Sequence, residues 1–169
     1  MGEKESAPGA LALIEALVNT LDIETGADTL DTADGRAALG LTEPEVPDAR
    51  ELREALRTAC LAHAGHRPAD DAASTLDRLL AGAPLRVTVD AAGAAALRPA
   101  TEPAGLTARV ASAIATAAAE GTWSRLKACE AEDCRWAYYD RSPAGRRRWC
   151  SMSVCGARAK MRTYRAKRG

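Results

Sequence analysis

Leu11, Ile14, Leu17, Val18 and Leu21 recur at intervals of three and four. That is the spacing of one helix face, and it predicts an amphipathic helix over 10–21 after a polar, frayed start over 1–9. Residues 29–39 read as a short helix ended by Gly40, and 43–47 as a connection broken by proline. Asp48, followed three residues later by Glu51, has the spacing of a helix-opening box. Leu52, Leu56 and Cys60 continue one face from there to a stop at Gly65. Pro68 opens the next helix, with Leu76, Leu79 and Leu80 as its buried edge and Gly82 as its end. The period then changes from helical to alternating over Leu85-Arg86-Val87-Thr88-Val89-Asp90. With a turn at 91–93 and a return over 94–99, this predicts a β-hairpin that must pack on the helices. A last helix starts at Thr101–Pro103, carries Leu106, Val110, Ile114 and Ala117 on one side, and stops at Gly121.

Composition changes this picture at one point in the chain. There is no phenylalanine, and all six Trp and Tyr residues lie beyond Gly121. The preceding core must therefore be aliphatic. The formal charge of zero conceals an opposition, because 123–169 holds 13 Lys/Arg against 4 Asp/Glu while 1–122 holds 10 against 19. We read an acidic helical domain over 1–122 and a basic module over 123–169. The fold class is mainly α with a small β-hairpin, followed by a treble-clef-like module of hairpin plus helix. Opposite charges suit either a basic module facing a polyanion or two halves that attract each other. No apolar run approaches the roughly 20 residues that cross a bilayer. The start has no hydrophobic signal region, so a cytoplasmic protein without membrane contact is expected.

Cys129, Cys134, Cys150 and Cys155 form two C-x4-C pairs separated by fifteen residues. Two close thiolate pairs can supply the corners of a tetrahedron, the shell that zinc prefers. One structural Zn2+ is the leading reading. Disulfides, a redox pair or an iron–sulfur cluster use the same residues. Between the pairs, 135–140 reads as a strand, 142–145 as a turn, and 146–149 as the partner strand. The second pair leads into a helix on which Val154, Ala157, Met161 and Tyr164 make a face able to pack back on that hairpin. Arg158, Arg162 and Arg165 form the adjacent stripe, with Lys160 and Lys167 nearby. Fixed cations along a rod suit DNA phosphates. Arg146, Arg147 and Arg148 add candidate contacts, or else form the exposed, charged edge of a hairpin.

At these residues a resemblance appears. Leu126-Lys127-x-Cys129, Cys134, Tyr138-Tyr139-Asp140 and the run from Arg148 to Lys160 resemble the CGNR zinc finger of bacterial proteins. That finger usually follows an ABATE-type helical domain, and Leu17-Val18-Asn19-Thr20-Leu21 is similar to a motif near its start. The resemblance implies a regulator of transcription linked to stress responses, with the four cysteines as metal ligands. The family tetrapeptide is broken, since Ala157 stands where the family has asparagine; alanine keeps the helix but cannot hydrogen-bond.

The remaining candidates read as structural. Cys60 lies on an apolar face and suits a buried thiol, and His63 and His66 flank a helix end in a capping or surface role. Trp136 and Trp149 suit a small core better than base stacking. There is no nucleophile elbow, phosphate loop or hydrolase histidine pair, and four thiolates leave zinc no open position, so no enzyme is expected. DNA is the expected partner, with a homodimer and a small effector of the helical domain as further ones. The rivals are a zinc-stabilised protein-interaction module and an RNA binder stacking bases on Trp136 and Tyr138.

Overall fold

The computed structural model describes residues 6–66 and 70–166, with the side chains of 70–73 left aside. The helices are α1 (Leu11–Val18), α2 (Ala33–Ala38), α3 (Val46–His63), α4 (Asp70–Ala81), α5 (Leu106–Ala119) and α6 (Ala157–Ala166). Strands β1 (Leu85–Val89) and β2 (Ala95–Pro99) make one antiparallel pair, and β3 (Leu126–Ala128) and β4 (Ala137–Tyr139) another. The chain is thus mainly helical, with its cysteines and last helix at the C-terminal end.

The core forms where the apolar faces of α1, α3 and α5 meet. Leu11, Ile14, Leu17 and Val18 face Leu52, Leu56 and Cys60 of α3 and Val110, Ala113 and Ala117 of α5. The cluster does not stop at the change in composition, because Leu126, Ala128 and Ala137 of the second hairpin belong to it. Burial pushes the Cys60 thiol up to about 12, so it stays protonated and inert among the leucines.

Several boundaries differ from the sequence expectation. Helix α1 ends at Val18 rather than Leu21, because Asn19 and Thr20 leave the helix and Leu21 bridges to Asp28. Helix α3 begins at Val46, two residues before Asp48. The Glu45 carboxylate accepts from the Thr42 N–H (2.8 Å) and hydroxyl (2.5 Å), which starts a 3-10 turn that runs into the helix. Pro47 then sits in the first turn, where its missing N–H costs nothing, so it does not break the chain. Helix α5 starts at Leu106, after Gly105, which leaves Thr101–Pro103 outside it. Pro68 lies outside the described residues. The start is tied down over 6–9, not frayed: Ala7 is buried, its N–H donates to Glu15 Oε2, and the Ser6 carbonyl accepts from Arg141.

The first hairpin has the expected register, with Val87 opposite Leu97, and Ser112 of α5 donates to the Leu97 carbonyl. Its orientation is unexpected. Val87 and Val89 are 68% and 65% exposed, so this hairpin rests on α5 while its valines face outward.

Candidate metal centre

The strand expected over 135–140 is present as β4, but its partner is β3 and not 146–149. Leu126, Lys127 and Ala128 pair with Tyr139, Tyr138 and Ala137, and the hairpin tip between them carries Cys129 and Cys134. Residues 146–149 form no strand. They return as an irregular segment: the Arg147 N–H and carbonyl bond to side chains, and the Arg148 carbonyl accepts from the main-chain N–H of Glu130 (2.9 Å). The buried Lys127 ammonium donates to Asp140 Oδ2 (3.1 Å) and the Gly145 carbonyl (2.5 Å), and the Arg147 N–H also donates to Asp140 Oδ2 (2.9 Å). Ser142 donates to the other Asp140 oxygen through its N–H (3.0 Å) and hydroxyl (2.6 Å). Burial pushes the Asp140 carboxyl up, but the Ser142, Arg147 and Lys127 bonds outweigh it and hold it down at about 2. This buried pair shapes the loop that delivers Cys150. The Tyr138 hydroxyl secures it further by donating to the Arg147 carbonyl (2.8 Å).

At the tip, the N–H groups of Cys134 and Arg135 both donate to the Ala131 carbonyl, which curls the chain back toward Cys129. Arg135 completes the turn at φ 51°, a left-handed conformation that a side chain disfavours. The second pair sits in the turn entering α6: Cys150 precedes a π-turn (Met152–Gly156), and Cys155 lies within it. A Cβ at Gly156 would lie 3.1 Å from the end of the exposed Met152 side chain and 3.3 Å from Trp149, so a larger residue fits this close turn only if Met152 and Trp149 give way by a few tenths of an ångström.

The four sulfurs converge, all within 4.8 Å of one another. Cys134 and Cys150 Sγ are 3.6 Å apart, and Cys150 and Cys155 Sγ 3.8 Å. A tetrahedron with zinc–sulfur bonds of about 2.3 Å has edges of about 3.8 Å, close to these two separations. Disulfides need about 2.05 Å, so no bridge is formed. A cluster of several irons would hold its cysteines further apart than one ion does. The donor set therefore fits a single zinc ion bound by thiolates. Without a cation the thiols compete for protons. Hydrogen bonds from Cys134, Cys150 and the N–H groups of Cys150 and Ala131 hold Cys129 far below its ordinary value. Hydrogen bonding with Cys129 and Cys150 pushes Cys134 up, and burial raises Cys155 to about 12. A dication removes the conflict by favouring the thiolate at all four. Trp136 and Trp149 pack with Tyr138 around the ligands as a small core.

The expected nucleic-acid contacts divide into groups. Arg147 folds inward, its guanidinium 5.3 Å from the Tyr138 ring centre and donating to the Cys150 carbonyl (3.1 Å). Arg148 pairs with Glu130 and lies over Trp149, while Arg146 is exposed. On α6, Arg158 pairs with Glu24 (3.3 Å) and Asp133 (3.6 Å), and Arg162 reaches Asp133 at 4.0 Å. Lys160 and Arg165 are exposed, and Lys167 lies outside the described residues. The apolar face of this helix does not pack back as expected. Val154, Met161 and Tyr164 are 47%, 52% and 51% exposed, and no described residue of α6 is buried. The β3–β4 hairpin lies against α3 and α1 instead.

Sequence reasoning missed the residues that join the two regions. Asn19 Nδ2 donates to the Ala137 carbonyl (3.0 Å), and the Ala137 N–H donates to Asn19 Oδ1 (2.7 Å). Arg57 donates to the carbonyls of Arg135 (3.0 Å) and Val18 (3.0 Å). His63 caps no helix; its Nδ1 meets the Leu126 carbonyl at 2.8 Å, and its ring stands edge-on to Trp123 at 4.9 Å. Burial lowers the pKa of His63, partly opposed by the Leu126 bond. His66 approaches Glu130 at 3.5 Å. Asn19 stood in a motif that the sequence displayed. Arg57 had no signal beyond being, with Arg53 one turn earlier, a charge among the buried residues of a helix.

A hairpin tip, a folded return and a helix entry that together hold one zinc ion define a four-cysteine zinc finger resting on a helical domain. The CGNR zinc finger model matches residues 125–168, and the ABATE model (Putative stress-induced transcription regulator) matches residues 10–121. The chain belongs to the ABATE family of zinc-finger regulators. No curated protein matches it.

Proposed function

We propose that this regulator binds duplex DNA through α6 and the adjoining loop, that its zinc is structural, and that it is not an enzyme. The observation that carries the reading is a cationic helix held at one end by Cys155 and left uncovered along its length. Arg158, Lys160, Arg162 and Arg165 lie on it and Arg146 and Arg148 in the preceding loop; on DNA, Arg148, Arg158 and Arg162 would exchange their carboxylate partners for phosphates. A fixed rod loses little freedom on meeting phosphates, and each neutralised phosphate releases counterions. Four thiolates complete a tetrahedral shell and leave no position for a reacting water. Among the described residues, no helix is long and apolar enough to cross a membrane. Work on DNA would place the protein in the cytoplasm, at the nucleoid.

If six cations engage phosphates, log K falls with log salt at a slope of about −5. A fluorescence titration of duplex DNA across a salt series measures it; a flat response, or no binding at low salt, overturns the DNA reading. Retention of single-stranded RNA over duplex DNA would favour an RNA binder. An Arg162→Ala variant that keeps DNA binding but loses a protein complex would favour an interaction module. The helical domain we assign to sensing or dimerisation. A cleft of about 510 Å³ between the starts of α3 and α5 and the turn from α4 to β1, lined by Leu41, Glu45, Asp48, Pro84 and Leu106, offers room for a small effector.

A further inference from the structure

Both outer edges of the metal-bearing hairpin are closed by side chains of the helical domain, and we propose that Asn19, assisted by Arg57, positions the zinc knuckle and sets how firmly it retains its ion. An antiparallel pair turns alternate residues outward, leaving their N–H and C=O groups without a strand partner. Ala137 of β4 is such a residue, and it is 1% exposed, so water cannot serve it. The Asn19 carboxamide supplies a donor and an acceptor in the geometry of a third strand. A flipped amide would set donor against donor, so only one orientation fits. On the other edge, His63 occupies the Leu126 carbonyl.

The bonds cluster next to a ligand. Arg135, Trp136 and Ala137 follow Cys134 directly. Their carbonyls are fixed in turn by Arg57, by the Cys129 N–H (2.9 Å) and by Asn19. Arg57 holds the left-handed residue from a side chain that is 6% exposed, and its other nitrogen secures the Val18 carbonyl, one residue before Asn19. The end of α1 and the knuckle are therefore tied through one guanidinium and one carboxamide. Cys134 is only partly buried, whereas Cys129, Cys150 and Cys155 are buried, so a competing chelator reaches the Cys134 bond first. Metal leaves when one thiolate swings off and is captured before it returns. Freeing the main chain behind Cys134 lengthens each such excursion.

The test uses the full-length, zinc-loaded protein and the rate of zinc transfer to a chromogenic chelator at 25 °C. Asn19→Ala is expected to transfer zinc about tenfold faster than the native chain. Asn19→Asp keeps the acceptor for the Ala137 N–H and loses the donor to its carbonyl, so it falls between the two. Arg57→Lys, which replaces the rigid planar fork that spans the two carbonyls with a compact ammonium, also falls between them. Val110→Ala, in the core away from the knuckle, controls for general loss of stability and should transfer within twofold of the native rate. Replacement of zinc by cobalt(II) adds a spectroscopic readout: Asn19→Ala shifts the ligand-field bands, and Val110→Ala leaves them in place. Native transfer rates and bands in Asn19→Ala overturn the proposal, as does equal acceleration in Val110→Ala. If Asn19→Ala does not fold, Asn19→Asp and Arg57→Lys carry the same comparison; native behaviour in both overturns it.

Discussion

The molecule contains two antiparallel hairpins with opposite fates. The β1–β2 hairpin has five-residue strands, the first of them rich in β-formers, yet Val87, Val89 and Leu97 face outward. The β3–β4 hairpin has three residues per strand, and Leu126, Ala128 and Ala137 belong to the main core. Strand length and propensity favour the first; fixed partners favour the second. A short hairpin is marginal alone. The second is held by a metal at its tip, a buried ion pair along its side, and a histidine and an asparagine on its edges. Side chains distant in sequence here do what extra strands do in a larger sheet.

The sharpest way to break the contrast is to remove the metal. Cys129→Ser, or exhaustive chelation, should abolish stoichiometric zinc and cost on the order of 10 kcal/mol of metal-coupled folding. Metal analysis with circular dichroism reads the change; retained helix content and tryptophan environment without metal would mean that the helical domain alone holds the tip. Next, Lys127→Met leaves Asp140 buried without its countercharge and should cost about 3–5 kcal/mol in urea unfolding. The pair also has a pH signature. Asp140 is held down at about 2, so its contribution is present above the ordinary carboxylate range and is lost as pH falls from about 4 toward 2.

His63→Ala opens one strand edge and removes the contact with Trp123, for an expected loss of about 1–2 kcal/mol. Because the folded state lowers this histidine's pKa, acid must protonate the unfolded chain first, and stability declines as pH falls through about 6.5. His63→Gln should flatten urea-unfolding stability between pH 7.5 and 5.5; an unchanged slope would assign it to other groups. The smallest effect belongs to the outward hairpin. Val87→Thr with Val89→Thr should change stability by no more than about 0.5 kcal/mol. A loss of several times that would show the valine face to be covered in solution, and the contrast would fail.

The sequence made the strongly periodic parts legible. The faces of α1, α3 and α5 and the register of β1–β2 follow from spacing alone, and the four cysteines announce their convergence through paired intervals. Short elements did not read. β3 is three residues of ordinary composition, while Arg146–Trp149 carries a strand-like mixture of charge and aromatic. The choice between them depended on Lys127 and Asp140 meeting, a contact that no local pattern encodes. The face of α6 was misjudged because periodicity says which residues share a side, not whether anything lies opposite. Pro47 read as a break because the Thr42–Glu45 box that puts it in a first turn was not recognised.

The tie between Asn19 and Ala137 bears on how separable the two regions are. A finger excised at the change in composition would carry its cysteines intact, yet Leu126, Ala128 and Ala137 would meet water and two strands would lose their flanking bonds. Transplanted onto an unrelated protein, it would need a host that presents a carboxamide, a guanidinium and an imidazole in the same places. Its inheritance should therefore be tied to that of the helices beneath it.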